Sequence, residues 1–223
     1  MYKKANLRLS MTLMAVLTVL PSCSSNDTGS AVAPVPEKPS VPQQEVLTEA
    51  DPTIFVDTDG TYYLYGTGSN SDTGFYVYRS ADMKTWQGPV GNTNGFCLTG
   101  ATSYGTTGFW APQVVKRGDT YYMFYSANDF RNIDYAVGVA TASSPFGPWT
   151  KSSQSVINRA NIGYYGTGHG DMFKDAQGQW NYVFHTHNSF TEVRPRKTAV
   201  VGLSQTSQGF AVTNGTFHYL YKE

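Results

Sequence analysis

Three segments of this chain are near copies of one another, and their spacing is equal. They are Asp59-Gly60-Thr61-Tyr62-Tyr63-Leu64-Tyr65, Gly118-Asp119-Thr120-Tyr121-Tyr122-Met123-Phe124-Tyr125 and Gly178-Gln179-Trp180-Asn181-Tyr182-Val183-Phe184-His185. Each is a turn followed by an aromatic, β-favouring run, hence a strand. Tyr62, Tyr121 and Trp180 are separated by 59 and 59 residues. A short strand is predicted before each, at 53–56, 113–116 and 171–174, and a third after each, at 75–79, 136–140 and 198–202. The first two units then reach a tryptophan in a Gly-Pro context, Trp86-Gln87-Gly88-Pro89 and Gly147-Pro148-Trp149. The third ends with stretches at 209–212 and 217–221. Each unit of about 60 residues predicts a four-stranded meander, and meanders repeated at this length predict β-propeller blades. A plain β-sandwich is the alternative, which two equal spacings argue against. No helical period runs through the domain.

The blade count is short. Residues 46–223 divide into three units, whereas propellers close with roughly four to eight blades. Three blades leave an open axis and unpaired sheet edges. The chain therefore reads as a shortened copy of a larger propeller, or as one that needs a partner. Composition narrows the function. At 40% hydrophobic and 14% charged, disorder is excluded. Sixteen basic residues balance sixteen acidic ones, without the basic stripe of a nucleic-acid binder.

The N-terminus reads as an address. Lys3, Lys4 and Arg8 precede a mostly apolar run at 9–20, then Pro21-Ser22-Cys23. That is a secretory signal over 1–22, and its apolar run is too short to span a bilayer. Leu20-Pro21-Ser22-Cys23 resembles a bacterial lipobox, with Cys23 as the lipidated residue, although Pro21 replaces the usual small residue. Removing 1–22 leaves 13 basic against 16 acidic residues. Residues 23–45, with Pro34, Pro36, Pro39 and Pro42, read as an extended Ser/Pro-rich tether. The expected location is outside the cytoplasm, lipid-anchored at the cell envelope or surface, or periplasmic, with no membrane contact except through the anchor. With Cys23 lipidated, Cys97 has no disulfide partner and reads as a small buried hydrophobe.

In a propeller the innermost strands bring polar residues to the axis. Counting back 11 from Tyr62, Tyr121 and Trp180 gives Asp51, Trp110 and His169. A carboxylate, an indole and an imidazole at one axis would make a polar pocket with an aromatic wall, which suits a sugar. Core packing for Trp110 and an Asp-Pro turn for Asp51 are the plainer readings of each residue alone.

The motifs around these residues resemble glycoside hydrolase family 43, the arabinanase, arabinofuranosidase and β-xylosidase group. Ala50-Asp51-Pro52 with the segment 59–65 resembles the first blade. Phe109-Trp110-Ala111-Pro112-Gln113-Val114 with 121–126 resembles the second. The stretch 139–149 resembles the common blade ending. Gly166-Thr167-Gly168-His169-Gly170-Asp171 with 182–187 resembles the final blade. Each motif alone is weak; four in order, across 46 to about 221, are specific.

The resemblance implies an all-β, five-bladed propeller, here incomplete with about three four-stranded blades, and an inverting hydrolase of arabinose- or xylose-containing polysaccharide fragments. It implies Asp51 as the general base that activates water. His169 would stand near the axis, where relatives hold a water-ligated structural calcium; no cofactor is required for the chemistry. Trp110 would line the sugar subsite, and Phe109, His185 and Arg196 are further substrate-binding candidates. Inversion needs a second, protonated carboxyl about 6.5–9.5 Å from the base. In the family that acid is a Glu on the fourth blade, tuned by an Asp on the third. Both blade signatures are missing: the chain runs from Trp149 to the final-blade motif at Gly166 in about 17 residues.

The remaining carboxylates give few substitutes. Glu192 is the one mid-domain Glu, and its plainer reading is a solvated loop charge beside Arg194. Asp171 opens a strand near the axis and is the second acid candidate. Glu49 adjoins the base. His185 and His187 alternate onto one strand face and with His169 could be read as a zinc site, but no Cys or acidic ligand supports it, and histidines bonding to a sugar read better. A non-catalytic sugar-binding propeller and a protein-interaction propeller are the competing readings. An aromatic-lined axial pocket separates the last from the other two.

Overall fold

The computed structural model describes residues 45–100, 103–207 and 209–223. The expected signal, Cys23 and the tether up to residue 44 lie outside them. Residues Val46–Glu223 form one compact unit, all-β apart from a single helical turn.

Three blades follow one another along the chain. The first holds β1 (Ala50–Val56), β2 (Tyr62–Thr67), β3 (Gly74–Tyr76), β4 (Tyr78–Ser80) and β5 (Phe96–Thr99). Here β1-β2-β4 and β3-β5 pair separately. The third strand of the predicted meander is broken at Val77, so one half pairs inward with β2 and the other outward with β5. The second blade is the regular one, with β6 (Phe109–Arg117), β7 (Thr120–Ala127), β8 (Ala136–Ala142) and β9 (Thr150–Lys151) in consecutive antiparallel order.

A one-turn helix, α1 (Arg159–Ile162), leads into the third blade. Asn158 caps its start and Gly163, at φ 80°, its end; four residues are too few to show a helical period. The third blade holds β10 (Gly168–Lys174), β11 (Trp180–Thr186), β12 (Lys197–Thr206), β13 (Gly209–Val212) and β14 (His218–Tyr219). The outer edge of β12 is shared: β13 pairs with its C-terminal half and β14 with Ala199 and Val200.

Strand alternation sets how the blades stack. Successive side chains on a strand point to opposite faces. On β7, Tyr121, Met123 and Tyr125 enter a core shared with Tyr63, Tyr65, Phe75 and Phe109 of the first blade and the head of β6. Tyr122 and Phe124 enter a second core with Tyr182, Phe184 and Phe210 of the third. The middle blade is thus buried on both faces, and this is why 121–125 reads as an unbroken aromatic run. Each fully buried ring contributes about 1.5–3 kcal/mol by burial, so apolar contact holds the blades together. Cys97 is a free, buried thiol whose Sγ donates to the Phe75 carbonyl at 3.4 Å. Burial pushes its pKa up.

Polar links fix the rotation of one blade on the next. Asp57, in the first hairpin turn, accepts from Lys116 Nζ at 2.7 Å and from the Tyr121 hydroxyl at 2.5 Å. Burial works against its charge, but the bonds from Lys116, Tyr121 and the Thr58 amide outweigh it and hold the carboxyl down at about 2, from 3.8. A depressed carboxylate stabilises above its unfolded pKa, and that contribution is lost as pH falls through the folded value. We expect Asp57→Asn to cost about 1–3 kcal/mol at pH 7. Thermal melts should also show a shallower loss of stability than wild type between the unfolded value of 3.8 and about 2. An unchanged acid limb would show that this link does not hold the first two blades.

Candidate active site

The innermost strands β1, β6 and β10 each carry a break in pairing at one place. The registers shift between Ala50 and Thr53, between Trp110 and Gln113, and between Gly168 and Asp171. Inside each break sits one non-glycine residue with a left-handed backbone: Asp51 at φ 45°, Ala111 at φ 48° and His169 at φ 42°. A β-bulge re-aims the side chain it carries, and such conformations are held only where the surroundings enforce them.

These angles correct the phase read from the sequence. Asp51 and His169 are equivalent, but their counterpart in the middle blade is Ala111, not Trp110. The cause is a shorter hairpin. Val56–Tyr62 and Lys174–Trp180 each enclose five residues, whereas Lys116–Tyr121 encloses four, so counting back a constant 11 lands one residue early.

A hydroxyl on the preceding blade holds two of the three bulges, those at Ala111 and His169. The Ala111 N–H donates to Thr67 Oγ1 at 2.9 Å, and the His169 N–H to Ser126 Oγ at 2.8 Å. Thr67 then donates its own proton to Asp51 Oδ2 at 2.8 Å. One threonine therefore orients the Asp51 carboxylate and ties it to the second blade. His169 Nδ1 lies 3.7 Å from the other oxygen, Asp51 Oδ1. The sequence carried no sign of Thr67 except its place, five residues after Tyr62 as Ser126 is after Tyr121.

The three bulges meet at a cleft of about 220 Å³ lined by Asp51, Thr53, Ala111, Gln113, His169 and Asp171 among others. Gln113 secures its far wall. Its amide donates to Asp171 Oδ1, and its Oε1 accepts from the Met172 N–H at 2.9 Å. A hollow of about 270 Å³ adjoins it, lined by His169, Asp171, Val183, His185 and Thr198. A roomier hollow of about 560 Å³ near Val139 and Phe210 carries no carboxylate or histidine.

The other expected site residues divide. His185 is half-buried with its Nε2 buried and unbonded among the described residues. Burial, with the Arg196 charge next, pulls its pKa down to about 3, so it is neutral at neutral pH. Arg196 is half-buried, with its guanidinium 5.7 Å from the Phe130 ring. Trp110 stands one residue before the cleft, its indole N–H donating to the Asn128 carbonyl at 3.0 Å and its ring edge-on to Phe130. Phe109 is corrected: its ring is fully buried in the core between the first two blades, so it packs rather than touching a sugar.

A proton donor asks for a carboxyl kept neutral by burial. Asp171 lines the cleft but is exposed, and Glu192 is exposed in a loop, where its Oε2 accepts from Asn188 Nδ2 at 2.7 Å. Glu49 is the carboxyl that burial pushes up, against the Tyr78 side chain, which works to lower it. It packs on Gly66 and is not among the residues lining the cleft.

Calcium takes about six to eight oxygen ligands. Among the described residues no group of three or more His, Cys, Asp or Glu is placed to hold an ion. His187 Nε2 is instead within 2.9 Å of the Phe130 carbonyl oxygen. Among the described residues His169 thus lacks the direct co-ligands of a metal cage.

Comparison with known proteins gives the family and the fold. The family described as "Glycosyl hydrolases family 43" matches residues 49–210. A probable arabinan endo-1,5-alpha-L-arabinosidase A from Aspergillus flavus is 32% identical over 118 residues, covering 51% of this chain and 34% of that protein. A probable arabinan endo-1,5-alpha-L-arabinosidase C from Aspergillus clavatus is 28% identical over 146 residues, 63% of this chain and 43% of that one. The chain thus spans well under half the length of these relatives. Among solved structures, a thermostable family-43 glycoside hydrolase superposes with a TM-score of 0.63 at 26% identity, over 78% of this chain and 60% of that one. The endo-arabinase from Bacteroides thetaiotaomicron shares the fold, with a TM-score of 0.60 at 22% identity, over 78% and 56%. With a match over more than half of its length, and with three propeller blades meeting at Asp51 and His169, this chain belongs to glycosyl hydrolase family 43.

Proposed function

We propose that this chain acts on arabinose- or xylose-containing polysaccharide fragments, by inversion, with Asp51 as the base that takes a proton from the attacking water. The observation that supports this most is the Thr67 bridge. It holds one carboxylate oxygen of Asp51 at 2.8 Å and leaves the other toward the cleft, 3.7 Å from His169. A base must be fixed in place, since a misplacement of about 1 Å can cost 10²-fold. Arabinan is the first substrate to test, because the relatives at about 30% identity carry that activity in their names. His185 lines the adjoining hollow and Arg196 acts on it electrostatically, and both could bond to sugar hydroxyls.

Protonating the leaving oxygen is the weak step. Asp171, which lines the cleft beside Asp51, is exposed, and the half-buried Glu49 does not line it. Without a donor the leaving group departs as an alkoxide, so natural linkages are cleaved poorly and activated aryl glycosides better. The same feature favours the second reading, a propeller that binds sugar without cutting it.

Assays of the full chain on dinitrophenyl arabinosides and xylosides, beside arabino- and xylo-oligosaccharides, decide this. We expect residual turnover to favour the aryl substrates, and Asp51→Asn to lower it about 10²–10⁴-fold with binding retained. Turnover unaffected by Asp51→Asn would refute the base. Brisk oligosaccharide cleavage lost in Asp171→Asn or Glu192→Gln would identify a working acid. No turnover on any substrate, with sugar binding intact, would favour the binding propeller.

Thr67→Val keeps the shape but removes both bonds of the bridge. We expect kcat to fall about 10-fold or more with KM little changed, because the base loses its orientation rather than the pocket its walls. Unchanged kcat would show that Thr67 is merely structural.

The same reading locates the protein outside the cytoplasm on a lipid carried by Cys23. Feeding cells a labelled fatty acid should label the wild type and not Cys23→Ser. Label persisting in the variant would exclude that anchor.

A further inference from the structure

Among the described residues two blade faces are uncovered. On the first blade, β1 turns Ile54 and Val56 away from the second blade, 48% and 53% exposed. On the third, β10 turns Phe173 outward, 38% exposed, with Val183 on the same side of β11. These faces are the two halves of a contact that the molecule already makes twice, between its first and second blades and between its second and third.

Three devices hold those contacts, and the first of them occurs in both, at fixed repeat positions. In the first, a bulge N–H donates to a side chain of the preceding blade, Ala111 to Thr67 and His169 to Ser126. His185 holds the next such place. It opposes Gly168 as Thr67 opposes Ala50 and Ser126 opposes Trp110. Its neutral ring presents a buried Nε2 with no partner among the described residues. The matching bulge is that of Asp51.

In the second device, a hairpin Asp accepts from a tyrosine of the following blade, Asp57 from Tyr121. Asp175 and Tyr62 hold the same two places, on the third blade and the first. In the third device, the residue before the third strand packs on the residue before the bulge. Tyr135 does so on Gly168, where a Cβ would lie 2.1 Å from the ring. Arg196 occupies the place of Tyr135, just before β12, and Ala50 that of Gly168, with Glu49 beside it. Arg196 Nε and Glu49 Oε2 are both buried and without a hydrogen-bond partner among the described residues. A positive group on one open face therefore corresponds to a negative group on the other.

We propose that these faces close on each other between two copies of this chain, head to tail, so that two three-bladed units form one six-bladed ring. Six lies within the range in which propellers close, with each blade turned slightly less against the next than in a five-bladed ring. A two-fold pair uses both faces of both copies and leaves no blade face open. The cleft at Asp51 then gains its missing wall from the second copy, whose His185 and Arg196 stand against residues 49–51. Within one chain the first and third blades approach at the axis, at Asp51 and His169, while Ile54, Val56 and Phe173 stay exposed. This inference does not depend on the hydrolase reading.

Sedimentation velocity on the purified full chain, across low to high micromolar concentrations, tests it. We expect a concentration-dependent species at twice the 24.5 kDa of one chain. Val56→Asp and Val183→Asp should each weaken it by at least about 10-fold in Kd, some 1.4 kcal/mol, with the near-ultraviolet dichroism of the monomer unchanged. Glu49→Arg and Arg196→Glu should each weaken it, and the double reversal should restore it. A monomer at every concentration would overturn the proposal, including one whose faces are covered by residues 1–44. So would open-ended polymers, a dimer indifferent to all four substitutions, or a double reversal that fails to restore assembly.

Discussion

The stacking of aromatic strands face to face is the contact on which everything else in this molecule rests. β7 carries Tyr121, Met123 and Tyr125 into one core and Tyr122 and Phe124 into the other. A buried ring contributes about 1.5–3 kcal/mol, against about 0.5–1.5 for a typical hydrogen bond. The apolar faces therefore bring the blades together, and the polar links decide the angle at which they meet. The middle blade is covered on both sides and is the most regular; among the described residues its neighbours are covered on one side only. This difference explains why β1 alternates between half-buried and exposed residues along its whole length.

The site depends on that stack through the bulges. Each bulge forces one residue into the left-handed region, which for a residue other than glycine costs of order 1–3 kcal/mol. For the bulges at Ala111 and His169 the compensation comes from the preceding blade, whose hydroxyl accepts the bulge N–H. Asp51 is oriented within its own blade by Thr67, which the second blade in turn engages through the Ala111 N–H. A base set in this way is only as well placed as the blade contact behind it, which links the open faces to the chemistry. The same dependence makes Thr67 a positioning residue: it touches Asp51 rather than the reacting atoms.

The strands and their hairpins were legible in the sequence because alternation and turn residues act locally. Residues 121–125 declare a strand, and Gly118-Asp119 declares a tight turn. The axial residues were legible to within one position. Asp51 and His169 are where the repeat puts them, and the middle blade slipped because a hairpin one residue shorter does not change the look of the motif. Phe109 and Trp110 could not be told apart by type, since both are aromatic residues at a strand head. Only packing assigns one ring wholly to the core and leaves the other half-buried beside the cleft.

What the sequence determined by itself was the repeating unit, the number of units and the family, since each is written in contiguous stretches of residues. What the tertiary structure decided was which side chains meet. Thr67 bonds a residue 44 positions away and Gln113 one 58 positions away, and no local pattern encodes either partner. Burial is equally non-local: Glu49 is perturbed and Asp171 exposed because of what the folded blades bring over each, although both are carboxylates close to the axis motifs in sequence.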